Sequence, residues 1–439
     1  MSKLLNQKKF EKFYNFIIFI PLLSFIFGFY IDENSAGMGN YAGDISWIKK
    51  NIQIFLENDL REAIFHPELF GNRTPLIYIL NKLFNPLFSD FEKYRISTFL
   101  FSLLGPIIFY KILRIRYSSV DKKILFLISS LIYLSPYYRT SAYWGLNENY
   151  AIFTLFLSFL FLEKFLNEAK NYFKNIFFVA IFSSLTIYFD QKFLIVPIVC
   201  FFSIIFSNKT DLKYKIFLIL NYLVLSIPFI YLLYRWGGIV PPATQIANPK
   251  TITSLTDIKL IYHIHLGYAA TLISFYLLPV ILFTDKNIIR KIKNMFLIKK
   301  TYLLIFLFFL FNFLNFLFFD FEKFTVTDYW VGLGIIHKLS IILFNDIFLQ
   351  EIFTYCFFFF SFIVLLFFFY QSKFDALVIT YFLLISLLLW PLMQEYFDPL
   401  IIILAFAIFK SVNNFNKINS FFIFSYLLIF LLIANYHYS

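Results

Sequence analysis

Apolar runs long enough to cross a bilayer recur along the whole of this sequence, and they decide what it can become. Sliding along the chain finds about thirteen, at residues 13–30, 96–113, 124–137, 147–165, 175–189, 193–207, 216–234, 267–283, 301–319, 350–370, 376–392, 399–411 and 420–435. A helix needs roughly 17–25 residues to span the hydrocarbon, and several of these runs are short of that. The expected fold is an all-α polytopic membrane protein, residues 1–439 forming a single integral membrane domain with no separate soluble part. Composition agrees: 60% of the 439 residues are hydrophobic and 15% charged, against about 45–50% and 25% in a soluble domain. The first run is long and lacks a small-residue cleavage site, so it reads as a retained span, not a signal peptide.

The formal net charge is +12. The basic residues sit in short connections between apolar runs, which is the pattern of membrane orientation and not of nucleic-acid binding. Lys3, Lys8, Lys9 and Lys12 precede span one. Arg114, Arg116, Lys122 and Lys123 follow span two, and Lys164, Lys170 and Lys174 follow span four. Lys209, Lys213 and Lys215 follow span six. Lys286, Arg290, Lys291, Lys293, Lys299 and Lys300 follow span eight, Lys373 span ten, and Lys410 and Lys417 span twelve. Every even-numbered connection is basic. The expectation is a cytoplasmic N-terminus, a multi-pass topology in a bacterial inner or plasma membrane, and a C-terminus outside. Cys200 and Cys356 both fall inside apolar runs and read as packing residues, with no disulfide framework or cysteine metal site.

The acidic residues collect on the other side. The first outer loop, residues 31–95, holds Asp32, Glu33, Asp44, Glu57, Asp59, Glu62, Glu68, Asp90 and Glu92. Later outer connections carry Arg139, Asn147 and Glu148; Asp190 and Lys192; Arg235, His263 and His265; Asp320, Glu322 and Asp328; then Glu395 and Asp398. Charges are almost absent within the spans. An ion-coupled transporter instead places ionisable groups near the bilayer midplane, so any chemistry belongs to the outer rim.

Within the first loop, Ile45, Ile48, Ile52, Phe55 and Leu56 recur at helical spacing, with Lys49, Lys50, Asn51 and Glu57 opposite. This predicts a helix over 45–56 lying in the membrane interface. A second amphipathic piece runs from Leu76 to Phe84, after a break at Gly71-Asn72-Arg73-Thr74-Pro75. The two pieces read either as a packed surface loop or as a lid above a groove between spans. Asp32 and Glu33 directly follow span one. Exclusion of charge from lipid alone also gathers carboxylates at helix ends, so their position admits a structural reading beside a catalytic one. Asp44 equally fits the N-cap of the helix starting at Ile45.

Together these pieces resemble the GT-C superfamily of membrane glycosyltransferases. The likeness lies in Asp32-Glu33 after the first span, the long first outer loop with juxtamembrane helices, and the dozen or so spans. Ser135-Pro136-Tyr137-Tyr138-Arg139-Thr140 with Asn147-Glu148-Asn149 at the third outer turn, and the tight turn Asp190-Gln191-Lys192, are looser echoes. Trp236-Gly237-Gly238-Ile239-Val240-Pro241-Pro242, followed by His263 and His265, is similar to a segment of the eukaryotic alpha-glucosyltransferase that completes the lipid-linked oligosaccharide. Glu395-Tyr396-Phe397-Asp398-Pro399 stands where that enzyme also has a polar aromatic motif. An O-antigen polymerase or ligase, or a lipid-carrier flippase, is the alternative; those polymerases and ligases carry a late, basic loop where this chain has an early, acidic one.

The resemblance implies a polyprenyl-phosphate-linked sugar as donor, and a glycan, lipid or protein as acceptor. It implies a base in the first outer loop, here Asp32 first and Glu33 second, with Asp44 as a third carboxylate. Such a reaction also needs a cation on the leaving phosphate and an apolar groove for the prenyl tail. Outer-face candidates for the cation are Arg235, Arg139 and Lys192, the guanidinium being the better planar match to phosphate; each of the three also fits an interfacial side chain that snorkels. Asn147, Glu148, Asp190, Trp236, His263, His265, Glu395 and Asp398 are candidate substrate contacts; capping, interfacial or belt-anchoring roles fit several of them equally. His263 and His265 lack a third ligand, so no cofactor or metal is indicated.

Overall fold

The computed structural model describes residues 11–37, 43–71, 73–168, 171–247, 262–284, 288–328, 332–412 and 416–438. Among them the chain is helical, without a strand. Nine helices are long and apolar enough to cross a membrane, which is consistent with a multi-pass membrane protein. Residues 11–247 and 416–438 belong to one compact unit and residues 262–412 to a second. In sequence, the second unit is inserted into the first.

The first unit opens with α1 (Glu11–Tyr30), interrupted by a turn at Ile18 and Phe19. Next come α2 (Gly43–Glu57), α3 (Leu60–Ile64) and α4 (Leu76–Phe84). In α2 the residues Ile45, Ile48, Ile52 and Phe55 are buried, as their spacing requires, whereas Leu56, expected on the same face, is exposed. Asn51, which the helical pattern sets on the polar side, is buried too. Its side chain brackets Phe70, donating to the carbonyl at 2.6 Å and accepting from the amide at 3.2 Å. A buried amide is tolerated when its own bonds are made, so Asn51 ties the loop back onto α2.

A long helix, α5 (Phe91–Arg116), breaks at Leu103 and Leu104 ahead of Gly105-Pro106. It is followed by α6 (Lys122–Ser130), a 3₁₀ turn at Leu131–Leu134, and α7 (Pro136–Trp144). The sequence suggests an outer turn at Ser135–Thr140; the structure places a helix there. Pro136 occupies the first helical turn, where its missing N–H costs nothing, and Ser135 caps the helix by accepting from Tyr138 N–H at 3.0 Å. Gly145, at φ +75°, ends it, and a Cβ there would stand 2.7 Å from the Tyr94 ring. Then come α8 (Glu148–Asn167), α9 (Tyr172–Phe189), a 3₁₀ turn at Gln191–Leu194, α10 (Ile195–Ile205), α11 (Leu212–Trp236) and α12 (Pro242–Ala247). The C-terminal helix Lys417–Tyr438 completes the unit.

Paired charges gather at two ends of this unit. At one end Lys417 meets Glu11 at 2.6 Å and Asp121 at 3.6 Å, Lys123 meets Asn15, Arg116 pairs with Glu163 at 3.0 Å, and Lys209 reaches the carbonyl of Leu166. The other end holds Asp32, Glu33, Arg95, Arg139, Glu148 and Asp190. The C-terminal helix finishes there: a Cβ on Gly37 would lie 2.4 Å from the ring of Tyr438. Two shorter helical stretches lie between the long helices of this unit. Residues 122–147 travel as α6, the turn and α7, and residues 191–205 as a short apolar helix.

Helix α11 shows what surrounds such a bundle. Almost none of it is buried, and Ile216, Leu220, Leu223, Val224 and Ile227 are all exposed. A stripe of that kind is stable against lipid and a liability in water. Pro228 interrupts the helix and opens the rung between Leu225 and Phe229. The Tyr188 hydroxyl fills the gap, donating to Leu225 O at 2.6 Å and accepting from Phe229 N–H at 3.0 Å.

The second unit comprises α13 (His265–Thr284), α14 (Ile288–Phe296), α15 (Lys299–Phe318), a π turn at Lys323–Asp328, α16 (Gly334–Leu343), α17 (Ile347–Gln371), α18 (Lys373–Ser386), a 3₁₀ turn at Gln394–Tyr396 and α19 (Leu400–Ala407). The apolar run 376–392 does not continue as helix past Ser386, and the run at 399–411 is helical only as far as Ala407. Between them residues 387–399 are largely irregular, yet Leu392, Gln394, Phe397 and Asp398 are buried. Backbone of that kind survives in an apolar setting only if neighbours satisfy it. Leu333 N–H donates to Leu392 O at 2.7 Å, Ile335 N–H to Gln394 Oε1 at 3.1 Å, and Gln394 Nε2 to Tyr276 Oη at 2.8 Å. The partner turn Gly332-Leu333-Gly334 has positive φ at all three residues. Asp375 accepts from the amides of Lys410 and Ser411 at 2.9 and 3.0 Å, closing the end of α19.

Candidate functional site

Asp32 and Glu33 are adjacent in sequence and opposite in circumstance. The chain turns back at the end of α1: Asp32 takes φ +53°, and Glu33 N–H bonds Gly28 O at 2.9 Å. This sends the Glu33 side chain inward, where it is 7% exposed. Arg139, 2% exposed, holds both its oxygens, Nε on Oε1 at 2.7 Å and Nη2 on Oε2. Arg139 also donates to the carbonyls of Tyr133 and Ser24, each at 2.9 Å. Gly28 is required under this pair, because a Cβ there would come within 2.4 Å of both Arg139 Nη2 and Glu33 Oε2. Trp144 Nε1–H donates to the Glu33 carbonyl at 3.1 Å. Glu33 thus braces α1 against α7, with both oxygens engaged by Arg139.

Asp32 is 59% exposed. Its Oδ1 accepts from Arg95 Nη2, and among the described residues Oδ2 has no partner. Arg95 is a residue that sequence reasoning passed over. It lies in the first turns of α5, whose N-terminus is capped by Asp90 accepting from Lys93 N–H at 2.9 Å. That bond, with the Lys93 ammonium beside it, holds the Asp90 carboxyl below its ordinary value. The Arg95 side chain is 10% exposed. Its guanidinium lies 4.4 Å from the Trp144 ring and 5.5 Å from that of Phe29, within the range of cation–π attraction. Nε donates to Tyr143 O at 2.6 Å and Nη1 to Glu92 Oε2 at 3.2 Å.

A second cluster stands on the other flank of α7. Glu148 and Asp190 face Arg73 and Lys192. Arg73 Nε donates to Asp190 Oδ2 at 3.1 Å and Nη2 to Glu148 Oε1. Lys192 Nζ lies 3.3 Å from Glu148 Oε1 and 3.4 Å from Asp190 Oδ2, and Ser141 Oγ–H donates to Glu148 Oε2 at 3.2 Å. Two cations against two carboxylates leave no net charge, and Lys192 and Glu148 are both buried. Asn147 sits beside them with its amide on Phe189 O at 3.4 Å. Arg73, also passed over in the sequence, arrives from the first loop. The neighbouring Thr74 hydroxyl donates to Tyr188 O, and Gly71 exchanges two bonds with the Thr244 hydroxyl beyond α11. The loop is therefore fastened to the helix ends beneath it.

The three expected phosphate cations are dispersed. Arg139 is consumed by Glu33 and Lys192 by the second cluster, while Arg235 is exposed, with its guanidinium 4.6 Å from the Phe65 ring and Nη1 3.4 Å from Tyr231 Oη. Trp236 is buried and its carbonyl accepts from Gln245 Nε2. The Asp44 side chain, Asn72, Trp330 and the Asp328 side chain lie outside the described residues. His263, His265, Glu395 and Asp398 belong to the second unit. The two histidines diverge. His263 is exposed against Phe319, and His265 is buried with Nδ1 3.0 Å from Ser386 O. The chain turns into α13 between them, and residues two apart on a helix do not share a face. Glu395 and Asp398 fall in the irregular stretch 387–399. Comparison with known proteins adds nothing to this geometry: no family model, no curated protein and no solved structure matches the chain.

Proposed function

We propose that this chain is a membrane glycosyltransferase that moves a sugar from a polyprenyl-phosphate carrier to a glycan, lipid or protein acceptor on the extracytoplasmic face. Asp32 is the general base. The acceptor hydroxyl attacks the anomeric carbon, its proton passes to Asp32 Oδ2, and the bond to the carrier phosphate breaks with its electron pair leaving on oxygen. The observation that supports this reading is the division within the acid pair: Glu33 is locked, whereas Asp32 is exposed and presents an open oxygen. A base must reach the proton it takes, and of the two only Asp32 is free to do so.

On this reading the chain crosses the membrane about thirteen times, counting broken and short segments. Its basic connections face the cytoplasm by the positive-inside rule, and α2 and α4 lie in the outer interface as a lid over the donor. The architecture is that of a GT-C enzyme. The test is Asp32→Asn assayed for sugar transfer in reconstituted membranes. Loss of a general base lowers turnover by about 10²–10⁴-fold, with membrane insertion and melting unchanged. Transfer at the unaltered rate ends the assignment.

A further inference from the structure

The cations expected to face a leaving phosphate are dispersed or consumed, so the charge has to come from elsewhere. The geometry points to Arg95 as an anion site whose ligand position is held by Glu92 in the free protein, and whose occupant is the phosphate of a long-chain lipid. This rests on the donor class proposed above and names the group that receives it.

Three features carry it. The guanidinium is fixed: it is packed at Trp144 and Phe29, anchored through Nε to Tyr143 O, and almost wholly buried. Its two outer nitrogens, by contrast, point at carboxylates that are themselves largely in water, Asp32 at 59% and Glu92 at 69% exposed. A surface carboxylate is a weak partner, whereas a phosphate offers several oxygens to a planar fork. Glu92 is the member that can leave. It meets Nη1 at 3.2 Å from one turn away on the same helix, and a rotamer change returns it to solvent. Asp32, bonded through Nη2, stays, so one arginine sets base and leaving group side by side. Finally, Ile96 and Leu100 form a short exposed apolar stripe one and two turns on from Glu92. The four-residue spacing puts them on the helix face that carries Glu92, and Leu104 and Ile107, also exposed, follow past the break in the helix. An ionic head at Arg95 with an isoprenoid tail along that stripe matches an amphiphile better than free phosphate.

The experiment measures binding and needs no sugar transfer. The full-length protein in nanodiscs is titrated with a polyprenyl monophosphate, with the polyprenol of equal length, and with inorganic phosphate. Wild-type protein binds the lipid phosphate and neither of the others. Glu92→Gln tightens binding about 2- to 5-fold, because a competing surface ion pair is removed. Arg95→Gln weakens it roughly 10- to 100-fold, the loss of charge-assisted hydrogen bonds, and Arg95→Lys recovers part of it. If Arg95→Gln fails to fold, Glu92→Gln alone decides: unchanged or weaker binding overturns the exchange. Lipid-phosphate binding indifferent to both positions places the phosphate elsewhere and overturns the site while sparing the donor class. Inorganic phosphate binding as tightly removes the lipid from the proposal. Failure of wild-type protein to bind the lipid phosphate at all overturns the donor class itself.

Discussion

Glu33→Gln is expected to unfold the first unit more easily, whereas Asp32→Asn is not, although the two positions are neighbours. Glu33 and Arg139 are both withdrawn from solvent and joined by two parallel hydrogen bonds. Removing one charge from such a pair strands the other in a medium that cannot solvate it, at a cost of about 3–5 kcal/mol. Arg139 keeps two carbonyl acceptors, on Tyr133 and Ser24, which holds the cost near about 3 kcal/mol, the lower end of that range. At roughly 2–4 °C per kcal/mol for a domain of this size, melting falls by about 6–12 °C. The Asp32–Arg95 pair is open to water on the carboxylate side and contributes about 0–1 kcal/mol, a shift of under about 4 °C on the same scale. Thermal melting of both variants in one detergent, followed by tryptophan fluorescence, separates them. A double variant, Glu33→Gln with Arg139→Met, recovers much of the loss, because replacing a whole buried pair costs far less than breaking it. Equal melting of the two single variants would refute the division of the acid pair into a brace and a free carboxylate. A double variant no better than Glu33→Gln would show that packing, not stranded charge, sets the cost.

Two further outcomes test the frame around the site. Tyr188→Phe leaves the Leu225 carbonyl and Phe229 amide open at Pro228 and lowers stability by about 1–3 kcal/mol; no loss on a chemical or thermal melt means that the proline break is satisfied in another way. Reporter fusions after Lys123 and after Lys300 report the cytoplasm, and an external signal at either position contradicts the orientation read from the basic connections.

Periodicity exposes α2 and α4 in the sequence because each has one buried face, the long run at 350–370 lies within α17, and that at 147–165 lies within α8 but for Asn147, its N-cap. Where a helix stops is harder to read. Leu387-Leu388-Leu389 is as apolar as the helix before it, yet its backbone leaves the helical path. Local turns satisfy part of this stretch and distant residues another part, Leu387 O accepting from Tyr262 and Leu392 O from Leu333. Hydropathy over a local window has no access to such partners. The same holds at the site. Asp32-Glu33 stands out as a charged pair at a span end, but which carboxylate is free depends on Arg139, 106 residues away, and on Arg95, 63 residues away. Arg95 reads as a cation at a helix boundary until Trp144 and Tyr143 are seen against it. Ser135-Pro136 reads as a turn unless the proline is recognised in a first helical turn behind a capping serine.

The sequence insertion of the second unit within the first bears on biosynthesis. Tyr14 bonds Ser420 at 2.7 Å and Glu11 pairs with Lys417, each across 406 residues of chain. A ribosome therefore makes α1 to α12, then the whole inserted unit, before the helix that covers α1 exists. Throughout translation the earliest helix must wait with that flank against lipid or an insertase, and a nonsense codon late in the message damages the part of the protein made first.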